Sequence, residues 1–165
     1  MGRVREALFS MLEARGVNWP NARVLDLYAG SGSLGLEALS RGAAFACFVE
    51  SAPYAAKVIA ANTELLGVDR ERFAIHQAES AQFLAGRPAL PFSVVFIDPP
   101  YTMDVIGPTF SALLNNRWVL PGAVINAEVE TRRRFDPQTV HPGGDVLADR
   151  TYGQTRVILW NVNQQ

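Results

Sequence analysis

Segments typical of β-strands and segments typical of α-helices alternate along this chain. Five strand-type runs precede the tail, at residues 23–28, 45–49, 73–76, 93–97 and 123–128. The fourth run is apolar after its first residue, which indicates a strand that is buried on both faces of a sheet. Parallel strands need crossover connections, and helices usually supply them. The alternation therefore predicts a doubly wound α/β domain with a mainly parallel sheet.

The segments between these runs carry helix signals, and the tail does not. The apolar residues of an opening helix share one face, and Gly16 can stop it: Val4, Leu8, Met11 and Leu12. Further helices are predicted at 34–40, at 53–66 and at 108–115, and a short helix that follows the third strand is predicted to end at residue 84. For the helix at 53–66, Ser51 is the predicted N-cap and Pro53 lies in the first turn. Residues 146–152 and 155–160 flank Gly153 and predict an antiparallel hairpin. Residues 1–165 are thus predicted to form one domain around a seven-stranded, Rossmann-like sheet.

Composition limits the class of protein. The 165 residues, 48% of them hydrophobic, fit one folded domain and exclude intrinsic disorder. No apolar run approaches the roughly 20 residues that a membrane span needs, and the N-terminal residues lack a secretory signal pattern. The single cysteine, Cys47, suits a reducing compartment, so we expect a cytoplasmic protein. The net charge of −1 argues against a protein that holds nucleic acid by bulk electrostatics.

A glycine-rich turn follows the first predicted strand. Gly30, Gly32 and Gly35 have GxGxxG spacing between a strand and a helix, where glycine lets a ligand approach the backbone. Glu50 follows the second strand and is placed to accept hydrogen bonds from ribose hydroxyls. These features also satisfy the dinucleotide fingerprint, so a dehydrogenase stays open at this point. Asp26, however, lies four residues before Gly30, and its negative charge suits an ammonium group better than a pyrophosphate.

A rigid acidic turn, Asp98-Pro99-Pro100-Tyr101, follows the fourth strand. Its two prolines restrict the backbone and expose carbonyl groups. They place a carboxylate and an aromatic ring at the edge of the sheet where α/β domains bind ligands. A capped turn with a packed tyrosine is the alternative. The functional interpretation is favoured because the turn follows a buried strand in the same domain as the glycine turn.

Together these motifs resemble those of S-adenosylmethionine-dependent amino methyltransferases. The Asp-Pro-Pro-Tyr motif marks only that broad class, which includes adenine, cytosine and glutamine methyltransferases. Three more stretches, residues 3–9, 34–43 and 152–156, are similar to the RsmD-type enzymes that methylate the N2 amino group of a guanine in 16S ribosomal RNA. The resemblance covers nearly the whole chain and implies the methyltransferase form of the Rossmann-like sheet, with S-adenosylmethionine as cofactor.

The resemblance also implies roles for individual residues. The cofactor-binding set that it implies is Asp26, Tyr28, Gly30, Gly32, Glu50, Glu79 and Asp98. Asp26 would face the methionine end of the cofactor, the glycines would let the backbone approach it, and Glu50 would bind the ribose. Glu79 stands where the family usually has aspartate near the adenine amino group. A plain surface carboxylate or a helix-start charge is the alternative for Glu79.

The implied catalytic residues are Asp98, Pro99 and Tyr101. The lone pair of a guanine amino group is delocalised into the ring, which makes the nitrogen a poor nucleophile. Asp98 and the Pro99 carbonyl can accept its two N–H bonds and draw the nitrogen toward tetrahedral geometry. Tyr101 can stack on the base and hold it in line with the methyl group. The base must leave its stack to reach such a pocket.

Neither a covalent enzyme intermediate nor a metal site is expected. Cys47 lies within the second strand and is interpreted as a core residue rather than a nucleophile. His76 and His141 are isolated in the sequence and lack the spacing of metal ligands.

Two groups of arginines are candidates for contact with RNA phosphates: Arg132-Arg133-Arg134, and Arg3 with Arg5. A solvated surface is the alternative for both groups. Family members usually carry a basic extension before the segment that opens this chain. Because that extension is missing here, we expect weak, salt-sensitive RNA binding. The expected partner is 16S ribosomal RNA, naked or within the assembled small subunit, and the protein is expected to be a monomer.

Other functions stay open from the sequence alone. A DNA-adenine or protein-glutamine methyltransferase would share the Asp98 site, although no separate target-recognition domain for a DNA enzyme is visible. A cofactor-binding module that no longer catalyses is a second alternative, and a dehydrogenase is the third.

Overall fold

The computed structural model describes residues 2–142 and 144–162, and over that range helices and strands alternate as predicted. Met1, Gly143 and residues 163–165 of the predicted domain lie outside the described residues. The helices are α1 (Gly2–Ala14), α2 (Ser33–Ser40), α3 (Pro53–Leu65), α4 (Ser80–Leu84), α5 (Ile106–Asn115) and α6 (Pro137–Val140). The strands are β1 (Arg23–Leu27), β2 (Phe45–Glu50), β3 (Phe73–Gln77), β4 (Phe92–Ile97), β5 (Val119–Glu130), β6 (Asp145–Tyr152) and β7 (Thr155–Asn161).

These strands form one sheet in the order β3-β2-β1-β4-β5-β7-β6. The pairs from β3 through β5 are parallel, and β7 joins β5 and β6 in antiparallel pairs. The predicted mainly parallel sheet with a C-terminal antiparallel hairpin is therefore confirmed. The chain moves from β1 to β2 and β3 on one side, and later to β4 and β5 on the other. The order thus reverses between β1 and β4, where doubly wound sheets bind ligands.

Helices cover both faces of the sheet, which explains why central strands such as β4 are mostly apolar and buried. One face packs against α1, α2 and α3, and its core includes Val24 and Phe96. The other face packs against α4 and α5, and its core includes Leu25 and Val95. Alternate residues of one strand thus enter different cores, since successive side chains point to opposite faces. The predicted burial of residues 94–97 on both faces is confirmed, with each side chain at most 1% exposed.

Three predicted boundaries near β1 and β2 are wrong by one residue. One of them is the end of β2, which lies at Glu50 rather than at residue 49. Tyr28 was expected to end the first strand, but β1 ends at Leu27 and Tyr28 turns the chain with a left-handed φ of 55°. Ser51 was expected to cap α3, but Ala52 occupies the N-cap position. The backbone N–H of Ala52 donates to Glu50 Oε2 at 2.8 Å. The Glu50 side chain therefore fixes the residue that precedes α3, as a capping side chain would otherwise do.

Three further differences lie in the second half of the chain. α5 begins at Ile106 rather than near Pro108, because proline is tolerated in a first turn, where the N–H has no partner within the helix. β5 extends beyond the predicted 123–128, since pairing with β7 continues to Glu130. α6 was not predicted, although the Asp136 side chain caps it by accepting from Gln138 N at 3.0 Å.

Gly35, in the first turn of α2, has no room for a side chain. A Cβ atom there would lie 2.4 Å from Phe48 Cε1 and 3.1 Å from Asp26 Oδ2. Because Phe48 is fully buried, its ring cannot move without disturbing the core. We expect Gly35→Ala to lower the free energy of unfolding by about 1–3 kcal/mol, as overpacking does. Urea denaturation followed by circular dichroism measures the change.

The matched control for Gly35→Ala is Gly107→Ala. Gly107 lies in the first turn of α5, and an added Cβ would meet nothing within 4 Å. Alanine favours helix over glycine by about 0.5–1 kcal/mol, so the control should be neutral or stabilising. Equal loss of stability in both variants would contradict the packing argument.

Candidate active site

A cavity of about 520 Å³ opens at the carboxyl ends of the parallel strands, next to the reversal in strand order. Residues from four strand ends form its walls: 28–31 with Ser33 after β1, Glu50 at the end of β2 with Ser51, Glu79 after β3, and 98–101 with Met103 after β4. The predicted residues that line it are Tyr28, Gly30, Glu50, Glu79, Asp98, Pro99 and Tyr101. Asp26 and Gly32 are not part of its lining. A larger hollow of about 750 Å³ lies between α3 and the edge strand β3, but none of the predicted site residues line it.

The glycine turn after β1 brings backbone to the wall of this cavity. Tyr28 and Gly30 have left-handed φ angles of 55° and 58°, which reverse the chain directly after the strand. A side chain added at Gly30 would meet nothing within 4 Å, so a ligand can approach the backbone there. A side chain at Gly32 would lie 3.1 Å from Ile59 Cγ1 and 3.2 Å from Phe48 Cε1. Gly32 therefore permits the close packing of α2 against α3 and lies behind the cavity wall.

Asp26 also lies behind the turn. Its side chain is 1% exposed, and its Oδ2 accepts a 3.0 Å hydrogen bond from the backbone N–H of Gly35. Burial raises the pKa of this carboxyl well above its usual range, and the charges of Asp98, Glu128 and Glu50 raise it further. The contact with Gly35 holds the first turn of α2 against β1. The predicted contact of Asp26 with the methionine end of a cofactor stays a prediction.

Glu50 links two segments of the cavity wall. Its Oε1 accepts from Gly30 N and its Oε2 accepts from Ala52 N, each at 2.8 Å. A carboxylate has about four lone-pair positions, so both oxygens can accept further hydrogen bonds from a ligand. Glu50 thus holds the glycine turn against the start of α3 and still offers acceptors to the cavity.

Tyr28 and Glu79 line the cavity from the turns after β1 and β3. The Tyr28 hydroxyl is hydrogen-bonded to Thr109 Oγ1 at 3.1 Å, which fixes the ring against α5. Glu79 is exposed and occupies the N-cap position of α4 without a capping hydrogen bond from its side chain. Its carboxylate is therefore free to point into the cavity, and its role toward the adenine of a cofactor stays a prediction.

The Asp-Pro-Pro-Tyr turn extends from the end of β4 along the cavity. Asp98 is exposed to the cavity, but the surrounding protein excludes enough water to raise the pKa of its carboxyl to about 6. Pro99 is buried, and the backbone N–H of Met103 donates to Pro100 O at 3.0 Å, which closes a turn. The ring of Tyr101 is 44% exposed, and its hydroxyl lies 3.3 Å from Thr155 Oγ1. The turn therefore presents an anion and an accessible aromatic ring within three residues of one another.

Sequence reasoning missed Glu128, a second carboxyl next to Asp98. Ile97 of β4 is paired with Ala127 of β5, so Asp98 and Glu128 are the next residues on adjacent parallel strands. Burial raises the pKa of Glu128 to about 7, and the charge of Asp98 contributes to the rise. The predicted fifth strand already ended at Glu128. The rule applied to the other strands, that residues at strand ends form the site, would have found it.

The raised pKa of Glu128 predicts a pH-dependent cost to stability. Its carboxyl has an ordinary pKa of 4.5 and a pKa of about 7 in the fold. Between these values the folded state holds a proton that the unfolded state has released, so stability falls as the pH rises through that window. Gln cannot ionise. We therefore expect Glu128→Gln to be more stabilising, relative to the unmodified protein, at pH 8 than at pH 4.5.

Urea denaturation midpoints at the two pH values test this expectation. Glu130→Gln is the matched control, because Glu130 lies on the same strand and pairs with Arg132 at 2.9 Å. Removing that ion pair should be neutral or slightly destabilising at pH 8. A stabilisation by Glu128→Gln that is the same at both pH values would contradict the burial argument.

The arginines that were candidates for phosphate contact have different surroundings. Arg5 lies 3.5 Å from Glu37, and Arg132 pairs with Glu130 while its side chain stays 89% exposed. Arg3 and Arg134 are exposed. Arg133 instead contacts the segment that follows the Asp-Pro-Pro-Tyr turn. Contact of any of them with RNA stays a prediction.

Cys47 is buried, whereas His76 is exposed and His141 is half-buried. Burial raises the pKa of the Cys47 thiol to about 12, so it is not a thiolate near neutral pH. His76 lies against Phe83 with ring centroids 4.8 Å apart, and His141 lies against Phe110 at 5.3 Å. Among residues 2–142 and 144–162, no group of three or more metal-ligating side chains comes together.

The lining of the cavity fits S-adenosylmethionine. The sulfonium and ammonium groups of that molecule are cations, and the carboxylates of Glu50, Glu79 and Asp98 line the cavity. Glu50 has lone pairs available for ribose hydroxyls, and Gly30 leaves space at the backbone. The volume of about 520 Å³ is within the range of about 300–1,000 Å³ that is typical of small-molecule sites.

Comparison with known proteins gives consistent matches over nearly the whole chain. The profile of a protein family described as Conserved hypothetical protein 95 matches residues 1–161. Ribosomal RNA small subunit methyltransferase D of Escherichia coli is 38% identical over 163 residues, which are 99% of this chain and 78% of that protein. A solved conserved hypothetical protein of Streptococcus pyogenes has a TM-score of 0.83 at 28% identity and covers 96% of this chain and 95% of its own.

A more distant solved structure shares the fold. The RNA methyltransferase from Salinibacter ruber, in complex with S-adenosyl-L-homocysteine, has a TM-score of 0.67 at 17% identity. The match covers 97% of this chain and 92% of that one.

Proposed function

We propose that this chain, which belongs to the family described as Conserved hypothetical protein 95, transfers a methyl group from S-adenosylmethionine to the N2 amino group of a guanine in small-subunit (16S) ribosomal RNA. The chain is 38% identical to Ribosomal RNA small subunit methyltransferase D over 99% of this chain. This relationship identifies the chain as a methyltransferase. The resemblance stated from its motifs is thereby confirmed at the level of the family.

One observation carries the proposed chemistry. The Asp98-Pro99-Pro100-Tyr101 turn lines the same cavity as Gly30 and Glu50. The residues suited to hold an amino group therefore lie beside the residues suited to hold the cofactor. This arrangement supports transfer between two molecules that are bound side by side.

The residues of the turn can prepare an amino group for reaction. When bound, S-adenosylmethionine would supply an electrophilic methyl group. Asp98 Oδ and the Pro99 carbonyl are two acceptors for the two N–H bonds of the amino group, and these contacts would favour a tetrahedral nitrogen with an available lone pair. Tyr101, exposed and fixed at its hydroxyl, offers a ring surface on which a base can stack. Together they orient the nitrogen toward the cofactor.

Asp98 can also take up the proton that the nitrogen must lose when it gains a methyl group. Its pKa of about 6 makes it mostly ionised at neutral pH, yet more basic than an ordinary aspartate. Glu128, on the adjacent strand, raises the local negative charge that a cationic cofactor would neutralise. The carboxyl pair thus suits both cation binding and proton acceptance.

The test is methyl transfer from radiolabelled S-adenosylmethionine to four acceptors: naked 16S ribosomal RNA, assembled small subunits, DNA and peptide release factors. We expect transfer to one or both RNA-containing acceptors. Nuclease digestion and mass spectrometry should then identify N2-methylguanosine. Transfer to DNA or to release factors in preference to RNA would instead support the alternative amino methyltransferases.

Two further outcomes separate the remaining alternatives. Tight binding of S-adenosylmethionine without transfer to any acceptor would support a non-catalytic module. Calorimetric binding of NAD without binding of S-adenosylmethionine would support a dehydrogenase and contradict the proposal.

We infer that ribosomal RNA is the partner and that the protein is cytoplasmic, since the proposed substrate is found in the cytoplasm of a bacterial cell. We also propose that the protein is a monomer. In the described part of the chain, no helix has the length and apolar character of a membrane span. Sedimentation equilibrium tests the monomeric state, and the salt dependence of RNA binding tests whether the arginines named above contribute.

A further inference from the structure

The segment that carries Tyr101 is held by one arginine from another part of the chain. Arg133 Nη1 donates to Tyr101 O at 3.2 Å and to Met103 O at 2.9 Å. Arg133 Nη2 lies 3.6 Å from Asp104 Oδ1. The guanidinium therefore contacts three of four successive residues, in the stretch between the two prolines and the start of α5 at Ile106. This stretch has no helix or strand of its own to fix its backbone.

Arg133 is itself anchored to the sheet. Its backbone N–H donates to Glu130 O at 3.0 Å, which ties it to the end of β5. Thr131, two residues earlier, donates from its backbone N–H to Gln154 O at 2.8 Å and from its hydroxyl to Gly153 O at 2.9 Å. The turn of the β6–β7 hairpin thus supports the segment that carries Arg133.

The same hairpin contacts the Tyr101 side chain directly. The Tyr101 hydroxyl lies 3.3 Å from Thr155 Oγ1 at the start of β7. Arg133 fixes the backbone of Tyr101, and Thr155 fixes the tip of its ring. Tyr101 is thus held at its backbone and at its hydroxyl, while the residue stays 44% exposed. Exposed tyrosines in unsupported loops have no such restraint on ring orientation.

We propose that Arg133 is a positioning residue, which fixes the backbone of residues 101–104 so that the Tyr101 ring can stack on the acceptor base. This inference rests on the proposed function and assigns to Arg133 a role different from phosphate binding. Nη1 already donates to two carbonyls and Nη2 lies near a carboxylate, so few of its donors are free for RNA. An orientation error of about 1 Å at a reacting group can lower a rate by about 100-fold.

The two roles predict different kinetics for Arg133→Ala. If Arg133 positions Tyr101, kcat at saturating RNA should fall by about 10- to 100-fold, and the salt dependence of RNA binding should not change. If Arg133 binds a phosphate, KM for RNA should rise, the salt slope should fall by about one, and kcat should stay the same. The second result would overturn the inference.

Arg133→Lys and Arg132→Ala are the matched variants. Lysine keeps the charge but lacks the planar fork that reaches both carbonyls, so its kcat should stay close to that of the alanine variant. Full activity of Arg133→Lys would overturn the inference. Arg132→Ala removes the neighbouring arginine, which pairs with Glu130, and serves as the control for hydrogen–deuterium exchange. Arg70→Ala is the control for the kinetic assay and should leave kcat unchanged, because Arg70 is exposed, lies before β3 and does not line the cavity.

Hydrogen–deuterium exchange tests the contact without any catalytic assay. In Arg133→Ala, peptides that contain residues 100–105 should exchange faster, because the turn in which the Met103 N–H donates to Pro100 O loses its support. The Arg132→Ala variant should exchange like the unmodified protein. Unchanged exchange in Arg133→Ala would overturn the inference even if methyl transfer were seen. Conversely, faster exchange with no methyl transfer by the unmodified protein would preserve the structural role of Arg133 and contradict the proposed function.

Discussion

Replacing Asp98 with alanine should lower kcat for methyl transfer by about 100- to 1,000-fold, the effect expected when a preorganised hydrogen-bond partner of a reacting group is removed. Asp98 lines the cavity directly after β4 and is the carboxylate of the Asp-Pro-Pro-Tyr turn. Without it, the amino nitrogen loses one of two acceptors and the group that takes up its proton. Single-turnover methyl transfer with saturating cofactor and RNA measures the change.

Asp98→Asn separates the two roles of the carboxylate. An amide oxygen still accepts an N–H bond but is a far weaker base, so the asparagine variant should be more active than the alanine variant. Asp69→Ala is the surface control. Asp69 is exposed and precedes the amino end of β3, whereas the cavity lies at the carboxyl ends of the strands. Full activity of Asp98→Ala on the preferred acceptor would show that the proposed mechanism is wrong.

Replacing Glu50 with alanine should weaken S-adenosylmethionine binding by about 10- to 100-fold, equivalent to about 1.4–2.8 kcal/mol. Two effects add. The proposed acceptors for the ribose hydroxyls are lost, and the backbone N–H groups of Gly30 and Ala52 lose the oxygens that hold the turn against α3. Isothermal titration calorimetry measures the dissociation constant directly.

Glu50→Gln should lose nearly as much affinity as Glu50→Ala. Both carboxylate oxygens accept from backbone N–H groups, so one end of a glutamine amide would bring its NH2 group against another donor. Glu64→Ala is the control, because Glu64 is an exposed glutamate on α3 that does not line the cavity. Unchanged affinity in Glu50→Ala would contradict the assignment of this residue to the cofactor.

The strand and helix pattern predicted the fold because its signals are local. The apolar runs at 23–28 and 93–97 need burial on two faces, and helices between them can supply it. Boundaries were less predictable. The chain leaves β1 at Tyr28 because of a left-handed turn, and α3 starts after Ala52 because Glu50 holds that N–H. Neither cause is visible in the pattern of apolar residues.

Much of the site could also be predicted, because parallel strands bring their carboxyl ends to one edge of the sheet. Glu50, Glu79 and Asp98 were identified from their places after strands, and all three line the cavity. The same reasoning predicts that Asp26 contacts the ligand, and this contact stays a prediction; the tertiary structure adds that its Oδ2 accepts from the backbone N–H of Gly35. The direction of a side chain near a strand end depends on the helix that packs over it.

The sequence by itself determined the class of fold, the glycine turn and the Asp98-Pro99-Pro100-Tyr101 turn, since each depends on residues that are neighbours in the chain. Only the tertiary structure decided that Glu128 lies beside Asp98 and that Arg133 holds the segment after Tyr101. These contacts join residues about 30 positions apart. They depend on strand order and register, which arise from packing of the whole sheet rather than from local preference.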